Sequence, residues 1–385
     1  MQIDSPKIDN VLENAAQQKV PAVSAAVISK DEDLYKGHFG FKDLENKDPV
    51  DDNTLFRIAS MTKAITSTCI YQLIDKDILS LDTNLKDFFP EITDKKVIRG
   101  FDDNGDPILS DVSNDINIGH LLTHTSGFAY EIWNESIAKL VEKGDLQSAF
   151  ANNDEFLKAP LVFEPGSDWE YGIGIDWLGV LIEKINECSL QEYMHTHIFE
   201  PLEMSNTSYD LDKNKLSRVA KVYGRNDDEY IEMPFEVPEK SSFYSGGGNL
   251  ISSLDDYSKF LRIFLNLGKG SQEQIISESS ISSMLSSLNE ELVMKKMLTQ
   301  VPMLSNDVDF FPTSTKSWSP GFMVNHEDIR SGRPKNSSGW AGLFNSFFWI
   351  DPKNEIAALI LMQMLPFSEE GCFTTLQEFE GSIYS

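Results

Sequence analysis

The sequence predicts an α/β (α+β) protein in which helices flank a mostly antiparallel sheet and a helical unit is inserted into the chain. Three observations lead to this prediction. Strand patterns occur towards both ends of the 385-residue chain, helical patterns fill its middle, and the length exceeds what one core usually supports. We expect a sheet domain from residues 1–84 and 215–385, and a helical domain from residues 85–214.

The N-terminal part predicts a helix followed by two strands. The helix is indicated by four apolar residues at helical spacing, Ile8, Val11, Leu12 and Ala15. The strands are AVSAAVIS (22–29) and DLYKGHFGF (33–41), on either side of a short polar turn. After residue 60 the run AITSTCIYQLI is apolar enough for a buried helix.

Helical and loop signals fill residues 85–214, and strand patterns return near the C-terminus. The clearest helix in the middle has its apolar stripe on Ile175, Leu178, Ile182 and Ile185. A helix from Leu254 to Leu267 has Ser253 as a candidate N-cap and Gly268 just past its end. Three late segments predict strands: SPGFMVNH (319–326), NSFFWID (345–351) and IAALILMQM (356–364).

Charge disfavours two classes of partner. The chain has 61 acidic and 33 basic side chains, a net charge of −28, so we expect no binding to nucleic acid or to anionic membranes. No apolar run approaches the ~20 residues that span a bilayer, and MQIDSPKIDN does not resemble an export signal. We therefore expect a cytoplasmic protein, with its oligomeric state left open.

Common cofactor and metal patterns are missing from the sequence. It has no GxSxG, GxGxxG, P-loop or HExxH motif, and its three cysteines lie far apart. His195 and His197 are two residues apart, so on a helix they would point in different directions. We expect no cofactor and no metal site.

Two segments share the spacing Ser-x-x-Lys, a pattern that can place a lysine beside a nucleophilic serine. Ser136 and Lys139 lie among charged residues typical of a solvated helix, which favours a surface role. Ser60 instead precedes an apolar helix, which would carry Lys63 inward beside the hydroxyl. Burial disfavours the charged ammonium, and a neutral lysine can act as a base. Ser60 could equally be an ordinary N-cap.

Tyr171 and Trp340 are further candidates with ordinary structural alternatives. Tyr171 follows a Pro-Gly turn in EPGSDWEYGIGIDWLG, where a tyrosine is often just a packed ring with a satisfied hydroxyl. Trp340 stands among small residues in NSSGWAGLFNSFFWIDP, where a ligand could approach the backbone closely, although a tryptophan there often belongs to the core.

Together these stretches resemble the serine β-lactamase and penicillin-binding-protein superfamily, and within it the class C-like family VIII carboxylesterases. The order Ser60-x-x-Lys63, Tyr171 and Trp340-Ala341-Gly342 carries the likeness, which covers nearly the whole chain. Further similar blocks are HLLTHTSGFAYEIWN (120–134), YGIGIDWLG (171–179), FEPLEMSNTSY (199–209), YSGGGNLISSLDDYSKFL (244–261) and LPF (365–367).

The resemblance implies a β-lactamase-like fold and an acyl-enzyme mechanism. Ser60 would be the nucleophile, and Lys63 and Tyr171 would form the general base, with the Tyr171 phenol acidified by the lysine cation. It leaves open which of the two takes the first proton. The backbone N–H groups of Ser60 and Leu343 would form the oxyanion hole.

The remaining pocket assignments follow from the same resemblance. Trp340, Ala341 and Gly342, together with Phe128 and Tyr130, would contact the substrate. His124 could be read as a partner of Ser60, but its HTSG block favours a turn and a structural role.

The substrate prediction rests on two departures from the β-lactamases of this superfamily. Trp340 replaces the lysine of their Lys-Thr-Gly block, and Ile173 replaces the asparagine of their Tyr-x-Asn block. Both changes favour uncharged esters over charged amides, so we expect a carboxylesterase for short-chain esters. A β-lactamase or D-Ala-D-Ala peptidase, an acyltransferase and a non-catalytic ligand-binding relative are the alternatives.

The two Ser-x-x-Lys segments can be separated by mutation. We expect Ser60→Ala to abolish hydrolysis of a p-nitrophenyl ester, because no other residue supplies the nucleophile, whereas Ser136→Ala should leave kcat/KM unchanged. Loss of activity in folded Ser136→Ala would instead place the nucleophile in the second segment.

Overall fold

The computed structural model describes residues 1–227, 229–235, 237 and 240–385. Its α-helices are α1 (Ser5–Gln18), α2 (Thr62–Asp75), α3 (Ile118–Leu122), α4 (Glu135–Lys143), α5 (Gly174–Asn186), α6 (Leu190–Met194), α7 (Lys213–Leu216), α8 (Leu254–Leu265), α9 (Glu278–Met284) and α10 (Glu370–Tyr384). Its strands are β1 (Ala22–Ser29), β2 (Asp33–Asp43), β3 (Asp48–Pro49), β4 (Phe56–Arg57), β5 (Lys96–Phe101), β6 (Pro107–Asp111), β7 (Val222–Asn226), β8 (Glu229–Met233), β9 (Ile251–Ser252), β10 (Lys316–Ser319), β11 (Phe322–Asn325), β12 (Ser338–Gly342), β13 (Ser346–Asp351), β14 (Ile356–Leu361) and β15 (Met364–Leu365).

One antiparallel sheet of eight strands joins the two ends of the chain. Its order is β10-β11-β12-β13-β14-β1-β2-β3, and Ser24 of β1 faces Leu361 of β14. Residues 356–361 are all buried, as are residues 22–28, so both faces of the sheet centre are covered. Helix α8 packs on β1 and β14, and α1 packs on β1, β2 and α10. The predicted sheet, assembled from both termini and flanked by helices, is confirmed.

Several predicted elements appear at or near their expected positions. Helix α1 buries Ile8, Leu12 and Ala15, and α8 begins where the Ser253 hydroxyl accepts a hydrogen bond from the Asp256 N–H. The predicted strand 319–326 is instead part of a hairpin, because the chain turns at Gly321, where φ is +121°. The last apolar run is also divided, since β15 leaves the large sheet and pairs in parallel with β7.

The middle of the chain contains helices α3 to α6 and one hairpin that the sequence did not indicate. Strands β5 and β6 pair antiparallel across the turn at Asp102–Asp106. Their signal is weak because Ile108 and Leu109 are exposed, so no apolar face marks the pattern. The domain boundaries at residues 85 and 214 stay a prediction. Within the described ranges, no helix has both the length and the apolar character needed to cross a bilayer.

A buried ion pair fixes the C-terminal helix to the segment before β12. The Arg333 backbone N–H and guanidinium donate three hydrogen bonds to the Glu380 carboxylate, at 2.8, 2.8 and 2.9 Å. Both side chains are only 5% exposed, so neither charge has water as an alternative partner.

Glu380→Ala should therefore lower the free energy of unfolding by about 3–5 kcal/mol, since it leaves a buried guanidinium without an acceptor. Urea unfolding measures the loss. Glu155→Ala is the matched control, because Glu155 pairs with Lys158 on the surface and should change stability by under ~1 kcal/mol. Equal losses in the two variants would contradict the assigned importance of the buried pair.

Candidate active site

Ser60 lies in a tight 3₁₀ turn, Ala59–Met61, immediately before α2. Its side chain does not cap the helix: the N-cap position belongs to Met61, and no side chain makes a capping hydrogen bond there. Ala59 has a left-handed φ of +42°, which is uncommon for a residue with a side chain. Ser60 is therefore held in a strained turn and not in an ordinary N-cap.

Strand β12 approaches this turn closely. A Cβ atom at Gly342 would lie 2.3 Å from the Ile58 carbonyl oxygen, so only glycine fits at that position. The small residues around Trp340 thus let the strand approach the turn that holds Ser60, which is a role that the sequence did not reveal.

Lys63 is fully buried on the first turn of α2, a helix in which every residue from Thr62 to Leu73 is buried. Its Nζ lies 3.2 Å from Ser60 Oγ, 3.0 Å from the Tyr130 hydroxyl and 2.6 Å from the Gly247 carbonyl oxygen. The structure therefore brings Ser60 and Lys63 into direct contact.

Burial changes the protonation of this lysine. It lowers the pKa of Lys63 to about 7, while the negative charge of Asp176 acts in the opposite direction. A substantial fraction of the amine is therefore neutral at physiological pH and has a free electron pair. Such an amine can accept the proton of a serine hydroxyl.

Tyr171 is buried beside the same two groups. Its hydroxyl accepts a hydrogen bond from Trp340 Nε1 at 3.0 Å and shares another with the Ser60 side chain. Lys63 Nζ lies over the Tyr171 ring, 4.9 Å from its centre. Burial raises the pKa of Tyr171, and the hydrogen bonds to Ser60 and Trp340 only partly oppose this. The expected acidification of the phenol is not what the geometry produces, so Tyr171 keeps its proton at neutral pH.

His124 packs behind Tyr171, and no hydrogen bond joins it to Ser60 within the described chain. Its ring centre is 4.7 Å from that of Tyr171, and its Nδ1 accepts a hydrogen bond from the Gly172 N–H at 3.3 Å. Burial lowers the pKa of His124 well below its usual value, and the nearby Lys63 charge adds to the effect. A neutral ring in this place supports Tyr171, in line with a structural role.

The second Ser-x-x-Lys segment lies on the surface helix α4. Lys139 is exposed and pairs with Glu135 one turn earlier, at 2.7 Å. Ser136 and Lys139 thus lie on the solvated side of a helix, and Lys139 is not buried as Lys63 is.

A cavity of about 410 Å³ opens beside Ser60. Both predicted oxyanion donors, Ser60 and Leu343, line it, as does Tyr130; the oxyanion assignment itself stays a prediction. Half of the other wall residues are apolar, namely Ala59, Ile132, Trp133, Ala149, Phe150, Phe235, Val237, Ile251 and Phe344.

Four predicted substrate contacts do not lie on this wall. Trp340 contacts Tyr171 through its indole N–H and through ring packing at 4.9 Å between centres, and Ala341 and Gly342 belong to the same strand, β12. Phe128 stacks on Trp177 at 6.0 Å between ring centres, away from the cavity. Phe128 is therefore a packing residue of the helical region.

Three residues that contribute to the site were missed or misjudged in the sequence. Tyr130 was predicted as a pocket wall, but it also contacts Lys63. Asp176 lies on the first turn of α5 and is 1% exposed, although it occurs in an otherwise apolar stretch. Gly247 belongs to the triple glycine of YSGGGN. An acidic residue inside an apolar helical stripe and a run of three glycines were the available signals.

A cation that the sequence did not single out also lines the cavity. Arg57 lies three residues before Ser60 and donates to the carbonyl oxygens of Ala220 (3.0 Å) and Phe235 (2.5 Å). Burial lowers the pKa of Arg57 to about 10, and within the described residues no carboxylate pairs with it. The guanidinium remains charged at neutral pH.

A family model described as Beta-lactamase matches residues 8–380. The chain belongs to this family. The resemblance to the serine β-lactamase superfamily is thereby confirmed, and the fold described above is β-lactamase-like.

Curated relatives of this β-lactamase-family protein include acyltransferases and an esterase. An ML-236A carboxylate methylbutanoyltransferase of Penicillium citrinum is 26% identical, over 96% of this chain and 91% of its own. A lovastatin esterase of Penicillium rubens is also 26% identical, over 88% and 87% of the two chains. The relatives of this chain thus include both an esterase and acyltransferases.

Solved structures agree with these relatives. A mutant of simvastatin synthase from Aspergillus terreus superimposes with a TM-score of 0.83 at 25% identity, over 98% of this chain and 93% of that one. A hydrolase with promiscuous acyltransferase activity shares the fold, with a TM-score of 0.78 at 19% identity over 99% and 98% of the chains. The chain is therefore a serine hydrolase or acyltransferase of the β-lactamase family.

The protonation of Lys63 predicts an acid limb in the pH profile. If the neutral amine acts as the base, kcat/KM for a p-nitrophenyl ester should fall about tenfold per pH unit below about 7. The rate is best followed at the isosbestic wavelength of nitrophenol.

Glu170 provides the control for this experiment. Burial raises the pKa of Glu170 to about 7 as well, against the opposing effects of its hydrogen bond from Asn134 and the charge of Lys295. Glu170→Gln should keep the acid limb. If the limb disappears in that variant, Glu170 and not Lys63 controls the rate.

Proposed function

We propose that this chain cleaves short-chain carboxylic esters through an acyl-enzyme on Ser60, and that an alcohol can replace water as the final acyl acceptor. The observation that carries the proposal is the 3.2 Å contact between Ser60 Oγ and a lysine amine whose burial makes it partly neutral. A nucleophile needs such an adjacent base to become reactive at neutral pH.

The first half-reaction forms the acyl-enzyme. Ser60 Oγ attacks the ester carbonyl carbon while Lys63 Nζ accepts the hydroxyl proton, and the carbonyl oxygen becomes an oxyanion at the N–H groups of Ser60 and Leu343. The C–O bond to the alcohol then breaks. The leaving alkoxide takes a proton from Tyr171, which is protonated at neutral pH because its pKa is raised, and the Lys63 ammonium then gives the proton that it took from Ser60 to the Tyr171 phenolate.

The second half-reaction transfers the acyl group. Water or another alcohol attacks the acyl carbon, its proton passes to Lys63, and the Ser60 Oγ–acyl bond breaks as the hydroxyl regains a proton. The same residues serve hydrolysis and transfer, so the acceptor that the cavity holds decides between them.

The cavity supports a bulky alcohol portion. Its volume of about 410 Å³ falls in the range of small-molecule sites, and its wall is mostly apolar. A short acyl chain alone would leave much of this space unfilled. An alcohol with a sizeable hydrocarbon body would bury apolar surface there and exclude water from the acyl-enzyme.

Arg57 supports a carboxylate on that alcohol. A buried guanidinium bound only to backbone carbonyl groups in the described chain can still receive an anion from the cavity. Two curated relatives are named for acid acceptors, an ML-236A carboxylate and monacolin J acid. We therefore include carboxylate-bearing alcohols among the acceptors of this chain, beside the uncharged esters that the sequence predicts.

The β-lactamase alternative is weaker. Trp340 gives its indole N–H to Tyr171, where the lactamases would have a lysine, and Ile173 is buried without any amide to bind a substrate. The Arg57 cation leaves room for a slow side reaction with a charged lactam. We therefore keep ester cleavage and acyl transfer as the main activity.

The acceptor preference can be measured with p-nitrophenyl butanoate as donor. We expect more acyl transfer to 4-hydroxycyclohexanecarboxylic acid than to its methyl ester, because only the acid can pair with Arg57. Arg57→Gln should raise the KM of the acid about tenfold or more and leave that of the methyl ester nearly unchanged. Arg57→Lys, which keeps the charge, is the matched control.

Two outcomes would count against the proposal. Equal transfer to the acid and its ester in the wild type would remove the role of Arg57 but leave the esterase. A chromogenic cephalosporin turned over faster than the butanoate ester, with loss in Ser60→Ala, would replace the esterase with a β-lactamase.

A further inference from the structure

The buried carboxylate of Asp176 does not contact Lys63 directly but binds two residues that do, Tyr130 and Gly247. Its Oδ1 accepts hydrogen bonds from the Ser245 hydroxyl (2.5 Å) and the Gly247 N–H (3.0 Å), and its Oδ2 accepts one from the Tyr130 hydroxyl (2.9 Å). It makes no direct contact with Ser60 in the described structure. The ester mechanism above uses neither Asp176 nor Tyr130.

The direction of the Tyr130 hydrogen bond decides how Lys63 is oriented. A phenol has one proton, and Tyr130 gives it to Asp176, so towards Lys63 its oxygen can only accept. The Gly247 carbonyl oxygen also can only accept. Neutral Lys63 has two N–H bonds and one electron pair. Both N–H bonds are thus committed to Tyr130 and Gly247.

The third contact of Lys63 is Ser60 Oγ, at 3.2 Å. We propose that Asp176 is a positioning residue which, by holding the phenol proton of Tyr130, aims the free electron pair of Lys63 at the Ser60 hydroxyl. This inference rests on the proposed function, because it assigns how the general base of that reaction is oriented.

The triple-glycine loop holds both ends of this arrangement. Gly247 donates its N–H to Asp176 and offers its carbonyl oxygen to Lys63, and Thr66 of α2 donates to the Gly246 carbonyl oxygen at 2.7 Å. A Cβ atom at Gly247 would lie 2.5 Å from both Asp176 Oδ2 and the Tyr130 hydroxyl. The loop therefore fixes the carboxylate, the phenol and the amine relative to one another.

Tyr130 is unsuited to be the base itself. Burial raises the pKa of Tyr130 well above its usual value, and the charge of Asp176 raises it further. A phenolate here would lie against a carboxylate. Tyr130 therefore acts as a fixed acceptor for one N–H bond of Lys63.

Asp176→Asn tests the proposal because it reverses one hydrogen bond at nearly constant shape. Ser245 and Gly247 both donate to one side of the residue, so the amide oxygen of the variant takes that side and its NH₂ group faces Tyr130. The Tyr130 hydroxyl then accepts a hydrogen bond from the amide and donates one to Lys63. This hydrogen bond occupies the electron pair of Lys63, which is then not free for Ser60. We expect kcat for p-nitrophenyl butanoate to fall about 100-fold or more, with little change in KM.

Removing the phenol in the same background gives the decisive comparison. In Asp176→Asn/Tyr130→Phe no phenol proton can occupy the Lys63 electron pair, so kcat should recover to the level of Tyr130→Phe alone. We expect that single variant to lose about tenfold in kcat, since one N–H bond of Lys63 is no longer fixed. Recovery of activity by a second substitution is not expected from a purely structural role.

The matched control is Asp256→Asn. Asp256 is another aspartate that is 1% exposed, and it accepts from the Asn206 N–H and the Thr207 hydroxyl, away from the cavity. We expect its substitution to lower stability and leave kcat unchanged. Circular dichroism melting curves confirm that each variant is folded before its kinetics are compared.

The outcomes separate this inference from the proposed function. If the wild type has no ester activity, the proposed function fails. If it is active and folded Asp176→Asn keeps its kcat, or the double variant is no faster than Asp176→Asn, the positioning role is overturned. Should Asp176→Asn fail to fold, Tyr130→Phe still decides, because wild-type kcat in that variant would also overturn the proposal.

Discussion

The burial of one amine is the constraint on which the rest of the site depends. Lys63 has no exposed surface, and the transfer of its ammonium out of water is what brings its pKa into the physiological range. Among the described residues, the groups within hydrogen-bond distance of Lys63 Nζ are those of Gly247, Tyr130 and Ser60, and none of them is a carboxylate. Asp176 in direct contact would stabilise the cation, whereas its place behind Tyr130 moderates this effect.

The large sheet brings together parts of the site that lie far apart in the sequence. The turn that holds Ser60 comes from the N-terminal third of the chain, whereas β12, which closes against that turn at Gly342, comes from the C-terminal part. The pairing of β1 with β14 keeps the two parts in register. A shift of this register would move Leu343 relative to Ser60, and a displacement of about 1 Å can already slow a reaction strongly.

Much of this arrangement could be predicted from local patterns. Ser60 and Lys63 were identifiable because an apolar helix follows them, and the ends of the sheet because strand patterns are strong where both faces are buried, as in β14. The roles of Tyr130 and Asp176 in the site could not be predicted, because each depends on a hydrogen bond to a residue more than 40 positions away. Phe128 was misjudged for the same reason, since the face of the chain that meets the cavity is set by tertiary packing.

The union of distant strands also has a consequence for synthesis of the protein on the ribosome. Strand β1 can pair with β2 early, but its other neighbour, β14, is nearly at the end of the chain. One side of β1 therefore stays without its partner until almost the whole polypeptide has been made. Strand β12, which packs against the turn that holds Ser60, also belongs to the last part of the chain, so the proposed site can be complete only after most of the polypeptide has been made.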